Sequence, residues 1–331
     1  MIVALGTMVG RGTAKAMIIV TGSAGLIGRG IVALLRRRGM AVREFDIRSD
    51  PRHDTRDKAA LGEALKGATG VIHLAAISRV VWAQRNPVLA HEVNVDALRG
   101  LFEIVGGMKH KPWVVFASSR EVYGEQDRLP VREDAPFRPM NHYAHGKLAG
   151  EALVEAARET GIRTATCRFS NVFGSIEDHS DRVAVAFARS AALGGRLVIE
   201  GGENRFDFTN VDDVVRGLGL VVDAIAIGES LPPLHFVSGR STSLFQLADL
   251  ARQFARRPVS IAEAPSRSFD VSRFCGDPER ARALLGWEAE IDLERGFAAL
   301  VDGFIDCGHD ASSAHWLDRL TDPADAEIAA N

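Results

Sequence analysis

Tyr143 and Lys147, in HYAHGK, stand four residues apart, so on a helix a phenol and an ammonium emerge from one face. An ammonium beside a phenol favours the phenolate and lowers the tyrosine pKa from its ordinary ~10. A phenolate so placed takes a proton from a sugar hydroxyl while hydride leaves the same carbon for a nicotinamide ring. Lys147 is also placed to hold the nicotinamide ribose. Upstream, the apolar run VVFASS stops at Ser118 and Ser119. A strand there puts hydroxyls at the carboxyl edge of a sheet, where open α/β folds bind ligands. Ser119 is expected to orient the substrate hydroxyl or its developing carbonyl.

A dinucleotide needs its own cradle, and MIIVTGSAGLIGRG supplies one. Gly22, Gly25 and Gly28 form G-x-x-G-x-x-G between an apolar strand and a helix that opens at Leu26 and Ile27. These glycines suit a tight turn, close backbone approach to a pyrophosphate and close helix-strand packing. The helix N-terminus adds unpaired N–H groups for the phosphates. The second strand ends in Asp46, 24 residues after Gly22, where a carboxylate accepts from both adenosine ribose hydroxyls and repels a 2′-phosphate. NAD is therefore favoured over NADP, against the nearby Arg43 and Arg48. Asp54, in HDTRD, either accepts from the adenine amino group or caps a local turn.

The elements that must position these groups alternate along the chain. From Met17 the order is MIIVTG, LIGRGIVALLRRRG, AVREFD, ATGVIHLA, a long helix near Pro87 to Gly106, then WVVFASS and a helix from about His142 to Thr160. TATCRFSNVFG reads as a sixth strand with its exit loop. This rhythm predicts an α/β fold, a Rossmann-type doubly wound parallel sheet with a smaller C-terminal substrate-binding α/β region. Strands such as IIV, VIHL and VVFA are apolar throughout, as burial on both faces requires.

The expected organisation is an N-terminal extension (1–16), a dinucleotide-binding domain (17–174), a mainly substrate-binding region with segments returning to the first domain (175–308), and a polar tail (309–331) containing Trp316. After Gly174 the reading is an elaborated lid, with helices near Arg182 to Leu193, Val211 to Ile227 and Ser243 to Phe254. Asp212 and Asp213 are read as N-terminal caps.

The chain has 331 residues, is 46% hydrophobic and 25% charged, and carries a net charge of -3, which gives no electrostatic reason to expect nucleic acid. No apolar run is long enough to span a bilayer, and a cytoplasmic protein is expected. The three cysteines, Cys167, Cys275 and Cys307, have neither CxxC nor metal-ligand spacing, so no metal site is expected and buried structural thiols are.

With these motifs together, TGSAGLIG, FDIR, HLAA, SSREVYGE, YAHGK, RFSNVFG, RFDFTNVDDVV and LLGW, the chain from about Met17 to Ile305 resembles the extended short-chain dehydrogenase/reductases. Within them it is most similar to the NAD-dependent nucleotide-sugar epimerase/dehydratase group, which includes UDP-glucose 4-epimerase. The resemblance implies that Leu74, Ala75, Ala76 and Asn94 belong to the cofactor pocket, with Ser118, and that an epimerase keeps its NAD through the cycle. It implies that Asn171, Arg205 and Arg267 meet the diphosphate of a nucleotide-sugar substrate, as guanidinium forks do. It also implies a homodimer built on the two long helices.

Three reactions share such a scaffold. An epimerase returns hydride to the opposite face of a transient keto sugar, a 4,6-dehydratase first expels water, and a reductase or dehydrogenase exchanges its cofactor with solution. In the dehydratases an Asp-Glu pair follows the hydroxyl residue, whereas here Arg120-Glu121 stands there. Glu121 matches the dehydratase base, but Arg120 cannot donate a proton at neutral pH. Epimerisation is the expected reaction, ahead of reduction and dehydration; Glu121 either acts in catalysis, binds a sugar hydroxyl or pairs with Arg120. A non-catalytic dinucleotide binder would have no need of Ser119, Tyr143 and Lys147 together.

Overall fold

The computed structural model of the chain describes residues 16–307. The expected N-terminal extension, except Ala16, and the tail with Trp316 lie outside the described residues. Six strands form one parallel sheet: β1 (Met17–Thr21), β2 (Ala41–Phe45), β3 (Ala68–His73), β4 (Trp113–Ser119), β5 (Thr164–Phe169) and β10 (Leu234–Phe236), in the spatial order β10-β5-β4-β3-β1-β2. The other strands pair in twos: β6 (Val172–Phe173) with β9 (Thr209–Asn210), β7 (Gly195–Glu200) with β12 (Val259–Ala264), and β8 (Arg205–Asp207) with β11 (Ser241–Ser243). The doubly wound sheet is the one the alternating pattern predicts. TATCRF, however, is its fifth strand in chain order, not the sixth. The sixth is LHF, only three residues long, too short to carry a periodic signal.

The helices are α1 (Leu26–Arg37), α2 (Lys58–Ala64), α3 (Val80–Arg85), α4 (Pro87–His91), α5 (Ala97–Gly107), α6 (His142–Glu159), α7 (Val183–Leu193), α8 (Val211–Ala226), α9 (Leu244–Gln253), α10 (Glu279–Leu285) and α11 (Leu293–Asp306). The long helix expected near Pro87 is interrupted: between α4 and α5 the turn Glu92–Asp96 is π-helical. Such bulges recur at functional sites, and this one carries Asn94.

Burial explains the layering. Ile31, Val32 and Leu35 on α1 pack with Val214, Leu218 and Val222 on α8 against one face of the sheet. Leu98, Leu101 and Val105 on α5 and Val154 on α6 cover the other. β4 and β5 are buried at every position. A separate core of Ala188, Ala191, Leu197, Leu247, Phe297 and Leu300 joins α7, α9, α11 and β7. Among the described residues no helix is long and apolar enough to cross a membrane. Of the cysteines only Cys167 is buried; Cys275 is half-buried and Cys307 exposed, so the expectation of buried structural thiols applies to one of the three.

Asn210, not an aspartate, caps α8, accepting from the backbone N–H of Asp212. Asp213 instead clamps the segment before α11, accepting from the N–H groups of Glu290 and Ile291, and its carbonyl accepts from the Trp287 indole at 2.9 Å. Trp287 is fully buried and meets Phe236 of β10 edge to face. Trp287→Ala is expected to lower unfolding stability by about 3–5 kcal/mol, through the cavity and the orphaned carbonyl. Urea unfolding measures it, and a loss below about 1 kcal/mol would show that this clamp does not hold β10 and α8 together.

Candidate active site

Every strand of the main sheet runs the same way, so Thr21, Phe45, His73, Ser119, Phe169 and Phe236 end along one edge. The chain crosses from β2 over β1 to β3, which opens a crevice between β1 and β3 at that edge. The glycine turn lies there. Gly22 has φ 68°, and a Cβ on it would sit 2.6 Å from the backbone nitrogen of Ala75. A Cβ on Gly28 would sit 2.1 Å from the Gly22 carbonyl oxygen. No larger residue fits either position without moving backbone. Leu26 and Ile27 form the first turn of α1, half-buried on the core.

Asp46, buried at the end of β2, accepts from the Ala24 N–H at 2.9 Å and the Arg48 N–H at 2.8 Å. Two backbone bonds leave lone pairs on both oxygens of a carboxylate, so a ribose diol is still accommodated. Of its two expected roles, Asp54 takes the local turn in this structure. Arg56 grips both of its oxygens, at 2.7–3.1 Å, and its own N–H closes a local turn onto the same side chain.

Leu74, Ala75 and Ala76 follow β3 along the crevice. The Ala75 N–H donates to the Thr21 hydroxyl, which is 3.0 Å from His73 Nδ1. Burial pushes the His73 imidazole down to about 3, so it is neutral and can accept from Thr21. Asn94 acts on the same loop: its amide oxygen accepts from the Ile77 N–H and its amide nitrogen donates to the Ile77 carbonyl. Its side chain therefore shapes the crevice through the backbone it holds.

The trio comes together at the end of β4. Asn141 caps α6 through the Ala144 N–H, which fixes the helix one residue before its first turn. Tyr143, Lys147 and Glu151 then follow at four-residue intervals. Lys147 is buried, donates to the Ala117 carbonyl at 2.8 Å, and lies 5.8 Å from the centre of the Tyr143 ring. Burial raises the Tyr143 phenol above its ordinary value, and the nearby Ser119 hydroxyl, which accepts from the Glu121 N–H, acts the other way. The expectation that Lys147 lowers it is corrected: the ammonium is directed to the Ala117 carbonyl. Burial instead lowers Lys147 itself to about 8, opposed by the Glu151 carboxylate.

Ser118 shares the face of Phe116, two residues earlier on the strand, and donates to Glu151 at 2.5 Å rather than facing the cofactor crevice. Arg168 holds the same carboxylate with two nitrogens, at 2.6 and 2.8 Å, and reaches Tyr123, whose hydroxyl is 2.6 Å from His235. Sequence reasoning missed Glu151, although its place one turn beyond Lys147 was a legible signal. Glu121 is buried, 2.8 Å from an Arg120 nitrogen, and accepts from Asn141 at 3.0 Å. The pairing with Arg120 is thus the one the structure contains.

The residues expected at a diphosphate come from separate segments, after β5, on β8 and after β12. Asn171, between β5 and β6, has φ 29°, a left-handed conformation that asparagine tolerates better than most residues. Arg205 is exposed and directed to Gln246 at 3.2 Å, because strand alternation turns its neighbour Phe206 inward in its place. Arg267 is tied to Asp270 at 2.8 Å and Glu200 at 3.2 Å. Arg205 and Arg267 are thus each held by protein partners, which a diphosphate contact would exchange for phosphate oxygens.

A further segment borders the crevice. Glu177 pairs with Arg29 on α1, Asp181 with Arg79 at 2.7 Å, and Arg182 reaches Ser78 at 3.3 Å. His179 packs edge-on against Trp82, and the Arg182 charge is felt at the Tyr143 phenol.

Residues 18–232 match the model of the NAD dependent epimerase/dehydratase family. The UDP-glucose 4-epimerase of Streptococcus mutans is 29% identical over 67% of this chain and 72% of its own. A Thermotoga maritima UDP-glucose 4-epimerase solved with UDP-glucose superposes with a TM-score of 0.79 at 27% identity, covering 88% of this chain and 99% of that one. MoeE5, solved with UDP-glucose and NAD, gives 0.78 at 28% identity, covering 88% and 99%. MoeE5 has also been solved with UDP-glucuronic acid and NAD.

The buried lysine makes a prediction that needs no substrate. Below about pH 8 both folded and unfolded chains carry the Lys147 proton, and the burial penalty is fully present. Between about 8 and 10.5 the unfolded chain binds more protons, so stability rises with pH. Against Lys147→Met, which lacks this titration, the wild type is expected to gain about 3 kcal/mol across that window. Urea unfolding of both proteins at pH 7, 9 and 10 checks it; a constant difference would mean that Lys147 is not desolvated.

Proposed function

We propose that this chain, which belongs to the NAD dependent epimerase/dehydratase family, inverts a carbinol centre of a UDP-sugar through a transient keto sugar, using Ser119, Tyr143 and Lys147. The observation that carries the reading is the buried meeting of these three side chains at the carboxyl edge of β4, beside the glycine turn. Relatives similar in sequence and in fold, solved or named with UDP-sugars, support the substrate class.

The crevice suits NAD. Gly22 and Gly28 leave backbone where a Cβ would collide, and Asp46 offers free lone pairs beside Ala24. Leu26 and Ile27 would present backbone N–H groups to the pyrophosphate, Gly25, whose own N–H closes the turn onto the Gly22 carbonyl, would let it approach the backbone, Asp46 would hold the adenosine ribose, and Leu74 to Ala76 would line the far wall. When bound, NAD supplies a hydride acceptor that later returns the hydride, and a positive charge that opposes the raised pKa of Tyr143.

Tyr143 takes the proton of the sugar hydroxyl and gives it back after the ring has presented its other face. Ser119, close enough to that phenol to act on it, orients the same oxygen as it passes from hydroxyl to carbonyl. Lys147, anchored on Ala117, keeps the phenol in register with the strand end and holds the nicotinamide ribose. The buried setting excludes water, so the keto sugar is kept from hydration between the two transfers. The Arg120-Glu121 pair argues against dehydration, since the position that would need an acid holds a guanidinium. The protein is further proposed to act in the cytoplasm as a homodimer through α5 and α6, which pack together beside the exposed Val88 of α4.

Incubation of the NAD-loaded protein with a panel of UDP-sugars is expected to yield an isomer of unchanged mass, read by mass spectrometry and NMR. Loss of water would instead establish a dehydratase, and two hydrogens gained or lost a reductase or dehydrogenase. Tyr143→Phe is expected to lower kcat by roughly 10²- to 10⁴-fold while NAD binding is retained; wild-type turnover in that variant would remove the proton-transfer role. In sizing chromatography the protein is expected to elute at twice the chain mass, and a monomer across a wide concentration range would refute the dimer.

A further inference from the structure

We propose that Arg120 is the residue through which this site grips an anionic oxygen of its nucleotide-sugar substrate, an assignment that rests on the epimerase reading above. Arg120 immediately follows Ser119 and is only 8% exposed. Its guanidinium lies between two rings, 4.9 Å from the centre of Phe206 and 5.6 Å from that of Phe274. One terminal nitrogen meets Glu121 at 2.8 Å, and the other, Nη1, is buried with no hydrogen-bond partner. A guanidinium carries five N–H donors in a fixed plane, and an unmet buried donor on a charged group is among the least favourable features a fold retains.

The surroundings fix where that donor edge can point. Glu121 is itself held by Asn141, so the carboxylate and the two rings set the plane of the guanidinium. The Arg120 charge acts on the Tyr143 phenol, which puts it within the field of the reacting group. Phe206 occupies the inward position of β8 and Arg205 the outward one. The inward side of this strand therefore supplies an aromatic platform, and the cation arrives on it from β4. Arg267 is neutralised by Glu200 and Asp270. Among the described arginines whose charge acts on Tyr143, Arg182 also has a buried nitrogen outside any hydrogen bond, but it is a quarter exposed and paired with Asp178, so Arg120 is the more desolvated of the two.

A desolvated, planar cation with one open donor suits a charged oxygen better than a hydroxyl. Two oxygens of such a substrate qualify: one on the diphosphate, or the carboxylate of a uronic sugar. They are separable by ligand choice. The NAD-loaded protein is titrated with UDP, UDP-glucose and UDP-glucuronate, using wild type, Arg120→Lys, and the double variant Arg120→Met with Glu121→Gln. The double variant removes both buried charges together, so no lone carboxylate is stranded, and thermal unfolding confirms that it folds.

Loss of the charge-assisted contact is expected to weaken binding roughly 10- to 100-fold. If the diphosphate is gripped, all three ligands weaken together; if a uronate carboxylate is gripped, UDP-glucuronate alone weakens. Both patterns support the assignment. Folded variants that bind all three ligands within twofold of wild type overturn it and leave the epimerase reading standing. Wild type that binds none of them overturns that reading and the assignment with it.

Discussion

The site depends on one buried hydrogen bond, from the Lys147 ammonium to the Ala117 carbonyl. It joins the second turn of α6 to the last residues of β4, and so fixes where Tyr143 stands relative to Ser119. An ammonium taken from water needs a partner, and the chain meets that need with a main-chain oxygen rather than a carboxylate at contact distance. A full salt bridge would have raised the lysine pKa and stiffened the pair. The Glu151 carboxylate acts on Lys147 only through its field, and burial prevails. The lysine is left close to the neutral range, where a charge introduced nearby changes its protonation readily.

Glu151 is free to do something else because Lys147 does not take it. With Ser118 and Arg168 it forms a buried network that runs through Tyr123 to His235, joining α6, β4, β5 and β10. The members are closely satisfied: Arg168 also donates to the Glu133 carbonyl, and Glu133 accepts from the His235 backbone. A buried network of this kind specifies one arrangement more than it adds stability, since half-satisfied alternatives are heavily penalised. It lies directly behind the trio and sets the angle at which α6 meets the sheet. The same demand explains why Ser118 turns away from the crevice: its hydroxyl completes the Glu151 carboxylate.

Much of the fold and the centre of the site were legible in the sequence, for reasons that are local. The glycine turn reads because Gly22 and Gly28 lie against backbone, where only hydrogen fits. The trio reads because helix period and strand end are both set by short-range geometry. The outward facing of Arg205 was not legible, because a motif gives order along the chain, while facing depends on which residue of a strand starts the alternation, and a shift of one exchanges Arg205 for Phe206. At Asp54 the local turn, one of its two readings, is what the structure contains, and Ser118 turns from the expected cofactor contact for a related reason. A carboxylate or hydroxyl near a ligand position is equally able to satisfy a neighbour, and Arg56 and Glu151 were the neighbours. Strand β10 was illegible because three apolar residues carry no period, and its place in the sheet comes from Trp287 and Cys167 around it.

The charges around Tyr143 follow a common logic. Burial holds His73 neutral, lowers Lys147 and raises the phenol, so each group nearest the reaction is shifted toward its uncharged form. Arg120 and Arg182 act on the phenol in one direction and Glu121 in the other. In water such opposed fields would be screened within about 10 Å; in a dry pocket they persist, and the balance is sensitive to any added charge. Reversible proton transfer benefits from that sensitivity. A phenol with a strongly depressed pKa would take the proton easily and return it poorly, whereas an epimerase must do both on the same oxygen. A phenol raised by burial and lowered by the charges that arrive with cofactor and substrate has its basicity set by occupancy. The pocket thereby ties the proton step to the presence of the partners that need it.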